Sequence, residues 1–139
     1  MVDYKLIDHT ADIGIIVSAK DLKSLFVKSA EAMFDVIALK KRTSRRLRKK
    51  EIKITLKAKN TEELLVYWLS ELLSLSDCED VFFTEFDMAK LKDTALEAKA
   101  SGLSRSHFIG KREVKAVTYH ELKIKKKGSR YQAEVIFDV

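Results

Sequence analysis

Ile13-Gly14-Ile15-Ile16-Val17-Ser18-Ala19-Lys20-Asp21-Leu22-Lys23-Ser24-Leu25-Phe26 is the stretch in which the hydrophobic period of this chain changes. Before Lys20 the apolar positions Ile13, Ile15 and Val17 alternate, which predicts a strand over 12–19 with one buried face. After it Leu22, Leu25, Phe26, Met33, Phe34 and Ile37 recur at helical spacing, and Asp21 stands where an N-cap belongs. Upstream, residues 4–8 read as another strand. Downstream, Ile52, Ile54 and Leu56 alternate with Lys53, Thr55 and Lys57, a strand with one buried and one wet face. Asn60 with Glu63 three residues on forms a capping box for a second helix, along which Leu64, Leu65, Trp68, Leu69, Leu72 and Leu73 make a broad apolar stripe. Trp68 reads as core.

Beyond that helix, 81–91 and 93–101 read as successive strands, followed by a polar loop from Ser101 to Gly110. Residues 112–125 and 130–138 form a hairpin around Lys127-Gly128-Ser129, where glycine supplies the positive φ of a tight turn. Many strands and two helices predict an α+β fold with mainly antiparallel pairing, the β structure packed with the two helices. At 139 residues the chain has the usual size of one domain, predicted over 1–139. A hydrophobic share of 46% beside 35% charged residues is that of a globular chain and excludes a disordered one. No apolar run approaches the roughly 20 residues that cross a bilayer, and no signal pattern opens the chain, so a cytoplasmic location and no membrane partner are expected. The single cysteine, Cys78, excludes an intramolecular disulfide and a multi-cysteine zinc site, and reads as a small, partly buried apolar residue.

The net charge of +6 is unevenly spread. Lys40, Lys41, Arg42, Arg45, Arg46, Arg48, Lys49 and Lys50 form one basic run, and Lys123, Lys125, Lys126 and Lys127 a second. Asp77, Glu79, Asp80, Glu85 and Asp87 gather the acids. The first run reads as a solvated loop and strand edge after a helix C-terminus, whose dipole favours cations. It holds no aromatic residue for stacking on bases, so weak RNA contact through phosphates is compatible with it and sequence readout is not.

Three segments concentrate polar chemistry on apolar backgrounds: Asp8-His9-Thr10-Ala11-Asp12-Ile13-Gly14, Val114-Lys115-Ala116-Val117-Thr118-Tyr119-His120-Glu121 and Val135-Ile136-Phe137-Asp138-Val139. Asp8 and Asp12 offer the oxygen ligands that hard divalent cations take, but one such turn holds too few of them. If the last strand lies beside 12–19, Asp138 and the carboxylate of Val139 reach the same rim. Parity is compatible with this, since Asp138 shares a face with Gln132 and Glu134, and Tyr131, Ala133, Val135 and Phe137 take the other. His9 in a turn reads as orienting the loop, and Asp8 as a supporting residue. Lys115 alternates with Val117 and Tyr119, which suggests a packed stem and a head that meets an acid or phosphate. His120 falls on the opposite face and reads as a hydrogen-bonded structural histidine. A Gly-rich phosphate loop, a recognisable Ser or Cys nucleophile and an HExxH helix are all lacking, so the chain reads as an accessory protein rather than an enzyme.

Together with Thr61-Glu62-Glu63-Leu64-Leu65-Val66-Tyr67-Trp68-Leu69-Ser70-Glu71-Leu72-Leu73, these segments resemble the archease family over nearly the whole chain. The resemblance implies helices packed on a β structure and a role as activator of an RtcB-type tRNA-splicing RNA ligase, promoting attachment of GMP to the ligase and repeated turnover. It also implies that Asp12 and Asp138, with Val139 close by, bind a divalent cation, whether calcium, magnesium or manganese, and that Lys115 and His9 belong to the activation surface. One departure is that Ser101-Gly102-Leu103-Ser104-Arg105-Ser106-His107 replaces the Gly-Glu and acidic loop common in the family. Two other readings stand beside this one: a chaperone-like modulator of an RNA-modifying methyltransferase, and a non-specific RNA-binding module.

Overall fold

Asp21 opens the first helix with its side chain. Its backbone is extended, and its carboxylate accepts the Ser24 N–H at 2.8 Å, satisfying one of the donors that a helix start leaves open. The computed structural model describes residues 2–8 and 12–139. In chain order the elements are β1 (Lys5–Asp8), β2 (Asp12–Ala19), α1 (Leu22–Ile37), β3 (Ala38–Lys40), β4 (Lys50–Lys57), α2 (Thr61–Glu79), β5 (Val81–Leu91), β6 (Ala95–Ser104), a 3-10 turn (Arg105–His107), β7 (Phe108–Gly110), β8 (Ala116–Lys127) and β9 (Arg130–Asp138).

The strands form a four-stranded sheet β1-β2-β9-β8, a three-stranded sheet β4-β6-β5 and a two-stranded ribbon β3-β7, and every pairing is antiparallel. Helix α1 packs on β2 and β9 of the first sheet and on β5 of the second; α2 packs on β8 and on β4 and β5. The helices thus fill the space between the sheets, which is why both bury residues over much of their circumference. The inward face of β2 is Ile13, Ile15, Val17 and Ala19, and that of β9 is Ala133, Val135 and Phe137, all buried.

Helix α2 starts as the capping pattern predicts. Asn60 accepts the Glu63 N–H at 2.8 Å, and the Glu63 carboxylate accepts the Lys59 N–H at 3.0 Å, one residue earlier than a standard box. Trp68 is fully buried and its indole N–H donates to the Phe26 carbonyl at 3.0 Å, tying α2 to α1. An aromatic cluster of Phe34, Phe82, Phe83 and Phe86 joins α1 to β5.

Four sequence expectations change. The strand expected over 93–101 runs from Ala95 to Ser104, and the expected polar loop after it holds the 3-10 turn and β7, whose partner is the residues immediately after α1. Strands of three residues are too short to show a period, so neither β3 nor β7 is legible in sequence. The hairpin strand expected from 112 begins at Ala116, and Gly128 takes φ +60 at the turn. Cys78 is exposed rather than partly buried, because it falls on the solvent side of the last turn of α2.

Gly102 on β6 is buried, and a Cβ there would lie 2.9 Å from the Phe82 carbonyl oxygen, whereas a Cβ on Gly110 would meet nothing within 4 Å. Gly102→Ala should therefore destabilise the protein by about 1–3 kcal/mol, with Gly110→Ala near neutral, as read from urea midpoints. A second expectation concerns alkali. The Tyr4 hydroxyl donates to Asp35 Oδ2 at 2.6 Å, and burial, then the Asp35 carboxylate, push its pKa up to about 12 from 10.0. The folded state holds this proton more tightly, so the contribution is complete below pH 10 and lost as pH rises through 12. The stability advantage of the wild type over Tyr4→Phe should shrink across that window.

Candidate functional site

The outward face of the first sheet is set by the same parity that builds its core. With Ile13 opposite Phe137 and Ile15 opposite Val135 facing inward, the next residue toward the end of each strand must face outward: Asp12 is the direct cross-strand partner of Asp138. Residues so opposed carry their Cβ atoms on the order of 5 Å apart on one face of the sheet. Two carboxylates 126 positions apart in sequence thus form one acidic rung. Ala116 of β8 lies opposite Asp138 on its other side and adds no charge. The rung behind, Gly14 and Ile136, is buried and apolar, so the acids stand at the rim of a non-polar patch.

Asp12 is half-buried and Asp138 exposed. Val139 follows the end of β9 and is half-buried against the core, which brings its main chain to the same rim. Carboxylate and main-chain oxygens are the donors that divalent calcium, magnesium or manganese accept, and water commonly completes their shells. Among the described residues no group of three or more His, Cys, Asp or Glu side chains converges on one point. His9 lies outside the described residues, as do the side chains of Asp8 and His120.

Lys115 reaches this edge differently from the sequence expectation. It precedes β8 and is exposed, and its backbone N–H donates to the Asp138 carbonyl at 2.8 Å. The buried alternation read over 115–119 holds only at Val117: Lys115 lies before the strand, and Tyr119 is exposed where the β8–β9 register shifts after Thr118. The lysine nonetheless stands beside the acidic rung, held there by its main chain.

Sequence reasoning passed over Arg105, hidden in what read as a polar loop. Its guanidinium lies over the Phe82 ring, 4.6 Å from the centroid, and donates to Ser76 Oγ at 3.0 Å and Asp77 Oδ1 at 2.7 Å. It pins the 3-10 turn to the end of α2. One wall of the adjoining cleft is the chain from Gly110 to Val114, which leads directly to Lys115. No spacing in the sequence marks this arginine, since its partners come from α2 and β5.

The structure thus defines an α+β protein of two antiparallel sheets around two helices, with a paired-carboxylate edge where its first long strand meets its last. The Archease protein family (MTH1598/TM1083) matches residues 4–139, and the chain belongs to that family. It is 33% identical to protein archease of Methanosarcina mazei, over 98% of this chain and 95% of that one. It is 37% identical to protein archease of Pyrococcus furiosus, over 95% of each. Protein 1598 of Methanobacterium thermoautotrophicum, solved in solution, superposes with a TM-score of 0.72 at 30% identity over 98% of both chains. An archease crystal structure from Thermotoga maritima shares the fold, with a TM-score of 0.67 at 22% identity over 97% of this chain and 96% of that one.

Two like charges directly opposite on a sheet repel. Asp12→Asn and Asp138→Asn should each raise the stability of the metal-free protein by a few tenths to about 1 kcal/mol, and the gain should shrink in high salt. Chemical denaturation in chelator at low and high ionic strength measures it. A loss of stability in both variants would mean that the carboxylates accept structural hydrogen bonds instead.

Proposed function

We propose that this protein activates an RtcB-type RNA ligase, promoting the ligase's guanylylation and repeated turnover, and that the Asp12–Asp138 edge is the surface that does so. Family membership supports the reading, and the direct opposition of Asp12 and Asp138 across β2 and β9 carries it to particular residues. A sheet core gains nothing from two acids on one rung, so the pair is better explained by a ligand of opposite charge.

The carboxylates of Asp12 and Asp138, with a main-chain oxygen of Val139, would hold a divalent cation. A bound cation would neutralise the rung and give the edge a centre able to accept oxygen ligands from outside the chain. This chain's own residues then have separable roles. The buried partners of the neighbouring rung, Ile13 and Phe137, fix the spacing of the carboxylates, and the Lys115 N–H bond to Asp138 fixes the end of β9. The exposed Lys115 ammonium offers a cation to an acid or nucleotide phosphate on the ligase. The chain supplies no nucleophile in this scheme; the covalent step belongs to the ligase.

Formation of the covalent ligase–GMP adduct, followed without RNA and with limiting activator, tests the proposal. Asp12→Ala and Asp138→Ala should stay folded, lose the calorimetric heat of divalent-cation binding and lose stimulation. Lys115→Ala should keep the cation and require more protein for the same rate, about thirty-fold if a desolvated contact of about 2 kcal/mol is removed. Lys57→Ala, exposed on β4, should behave as wild type. Full stimulation by all three site variants at limiting concentration would overturn the mechanism.

A further inference from the structure

The stretch from Lys40 to Lys50 holds eight cations and no acid, against a surplus of six for the whole chain. The rest of the molecule, its second basic run included, is therefore slightly acidic on balance, and the net positive surplus is matched by the end of β3, the loop 41–49 and the first residue of β4. Some of these cations are answered locally. Lys49 pairs with Glu85 and Lys50 with Glu79, and the Lys41 ammonium donates to the Ser106 carbonyl at 3.2 Å. The acids that reach the stretch are thus taken up at its β4 end. Among the described residues, the side chains of Arg42, Arg45, Arg46 and Arg48 have no ion pair or hydrogen bond, and all four are exposed. Beside them Lys40, Lys41, Arg42, Thr43 and Ser44 line an open concavity of about 600 Å³.

We infer that the loop 41–49 is a docking site for the phosphodiester backbone of RNA. Four exposed arginines within seven positions present planar guanidinium forks, which suit phosphate oxygens better than single ammonium groups do. The Thr43 and Ser44 hydroxyls add donors in the same concavity. The loop offers no aromatic platform and one half-buried apolar side chain, Leu47, so it can follow a backbone without reading bases or inserting into a lipid surface. An acidic protein surface is the rival occupant. The backbone is favoured because nothing apolar in the loop could form the dry centre that a protein interface needs around its charges.

Given the proposed ligase function, the location also suits an RNA held by a partner at the acidic edge. Phe108 pairs with Lys40, and the seven residue steps from Phe108 to Lys115 span at most about 25 Å when extended. A ligase seated on the Asp12–Asp138 edge would thus have the β3 end of the basic stretch within about 25 Å, a distance that the RNA it joins can bridge.

Fluorescence anisotropy with a labelled unstructured oligoribonucleotide and the protein alone tests the site. Three neutralised phosphates on a single strand predict a fall in affinity of roughly fifteen- to twenty-fold between about 50 and 200 mM salt. The variant Arg42→Ala/Arg45→Ala/Arg46→Ala should bind at least ten-fold more weakly at low salt with a shallower slope. A charge-matched control in the β8–β9 hairpin, Lys123→Ala/Lys125→Ala/Lys127→Ala, should change affinity little. Equal losses from both variants, or unchanged binding in the arginine variant, would overturn the assignment to the loop. Guanylylation of the ligase without RNA should be intact in the arginine variant. If that stimulation is lost while RNA binding persists, the loop meets the ligase protein and the inference fails. Absence of guanylylation stimulation by the wild-type protein would remove the ligase reading, and full stimulation by the Asp12 and Asp138 variants would remove only the edge mechanism; either leaves the RNA measurement standing.

Discussion

The pairing of β2 with β9 is the constraint on which the rest of the molecule depends. It joins a strand near the start of the chain to the last strand, and it supplies the floor on which α1 packs. Its register is set by side-chain volume on the inward face, where Ile13, Ile15 and Val17 meet Phe137, Val135 and Ala133. A slip of one residue would turn that set toward solvent and bring Asp12 or Asp138 into the core. Burial of each large apolar side chain contributes about 1.5–3 kcal/mol, so the correct register wins by a wide margin over any alternative. The opposition of the two aspartates is thus a consequence of core packing, imposed on groups that would otherwise repel each other.

That arrangement gives the molecule an electrostatic asymmetry. One edge carries a carboxylate pair at the rim of a buried apolar rung, and a separate loop carries the whole positive surplus. The two lie on different elements, and among the described residues no ion pair joins them. Each remains available to an outside partner. The intervening acids at Glu79 and Glu85 restrain only the β4 end of the basic stretch and leave its arginines free.

Between these two regions runs the segment from Arg105 to Lys115, whose position is fixed by contacts that are individually small. Arg105 is held by a ring, a hydroxyl and a carboxylate; β7 is held by three residues of β3; the Lys111 ammonium donates to the Asp35 carbonyl at 2.8 Å; the Lys115 N–H closes on Asp138. Together they convert a polar connection into a strap from the end of α2 to the acidic edge. Backbone hydrogen bonds of this kind are worth only about 1 kcal/mol each, but leaving them unmade in a partly buried segment costs more.

Sequence alone determined the elements whose period repeats often enough to read. Strand β2, both helices with their Asp21 and Asn60 caps, β4, β5 and the closing hairpin follow from local spacing and capping chemistry, which act within a few residues. The same local logic nominated Asp12 and Asp138 as rim residues, and family resemblance nominated them as partners. Only the tertiary structure decided that they stand directly opposite, because cross-strand register is a property of two distant segments packed on a common core. It alone decided that β3 and β7 are strands at all, since three residues show no period and acquire their conformation by pairing. It placed Lys115 outside the strand, where its main chain rather than a buried stem joins it to Asp138. It also sorted the basic run, whose composition is uniform in sequence, into cations with acidic neighbours and arginines without them, because a salt bridge depends on which surfaces fold together.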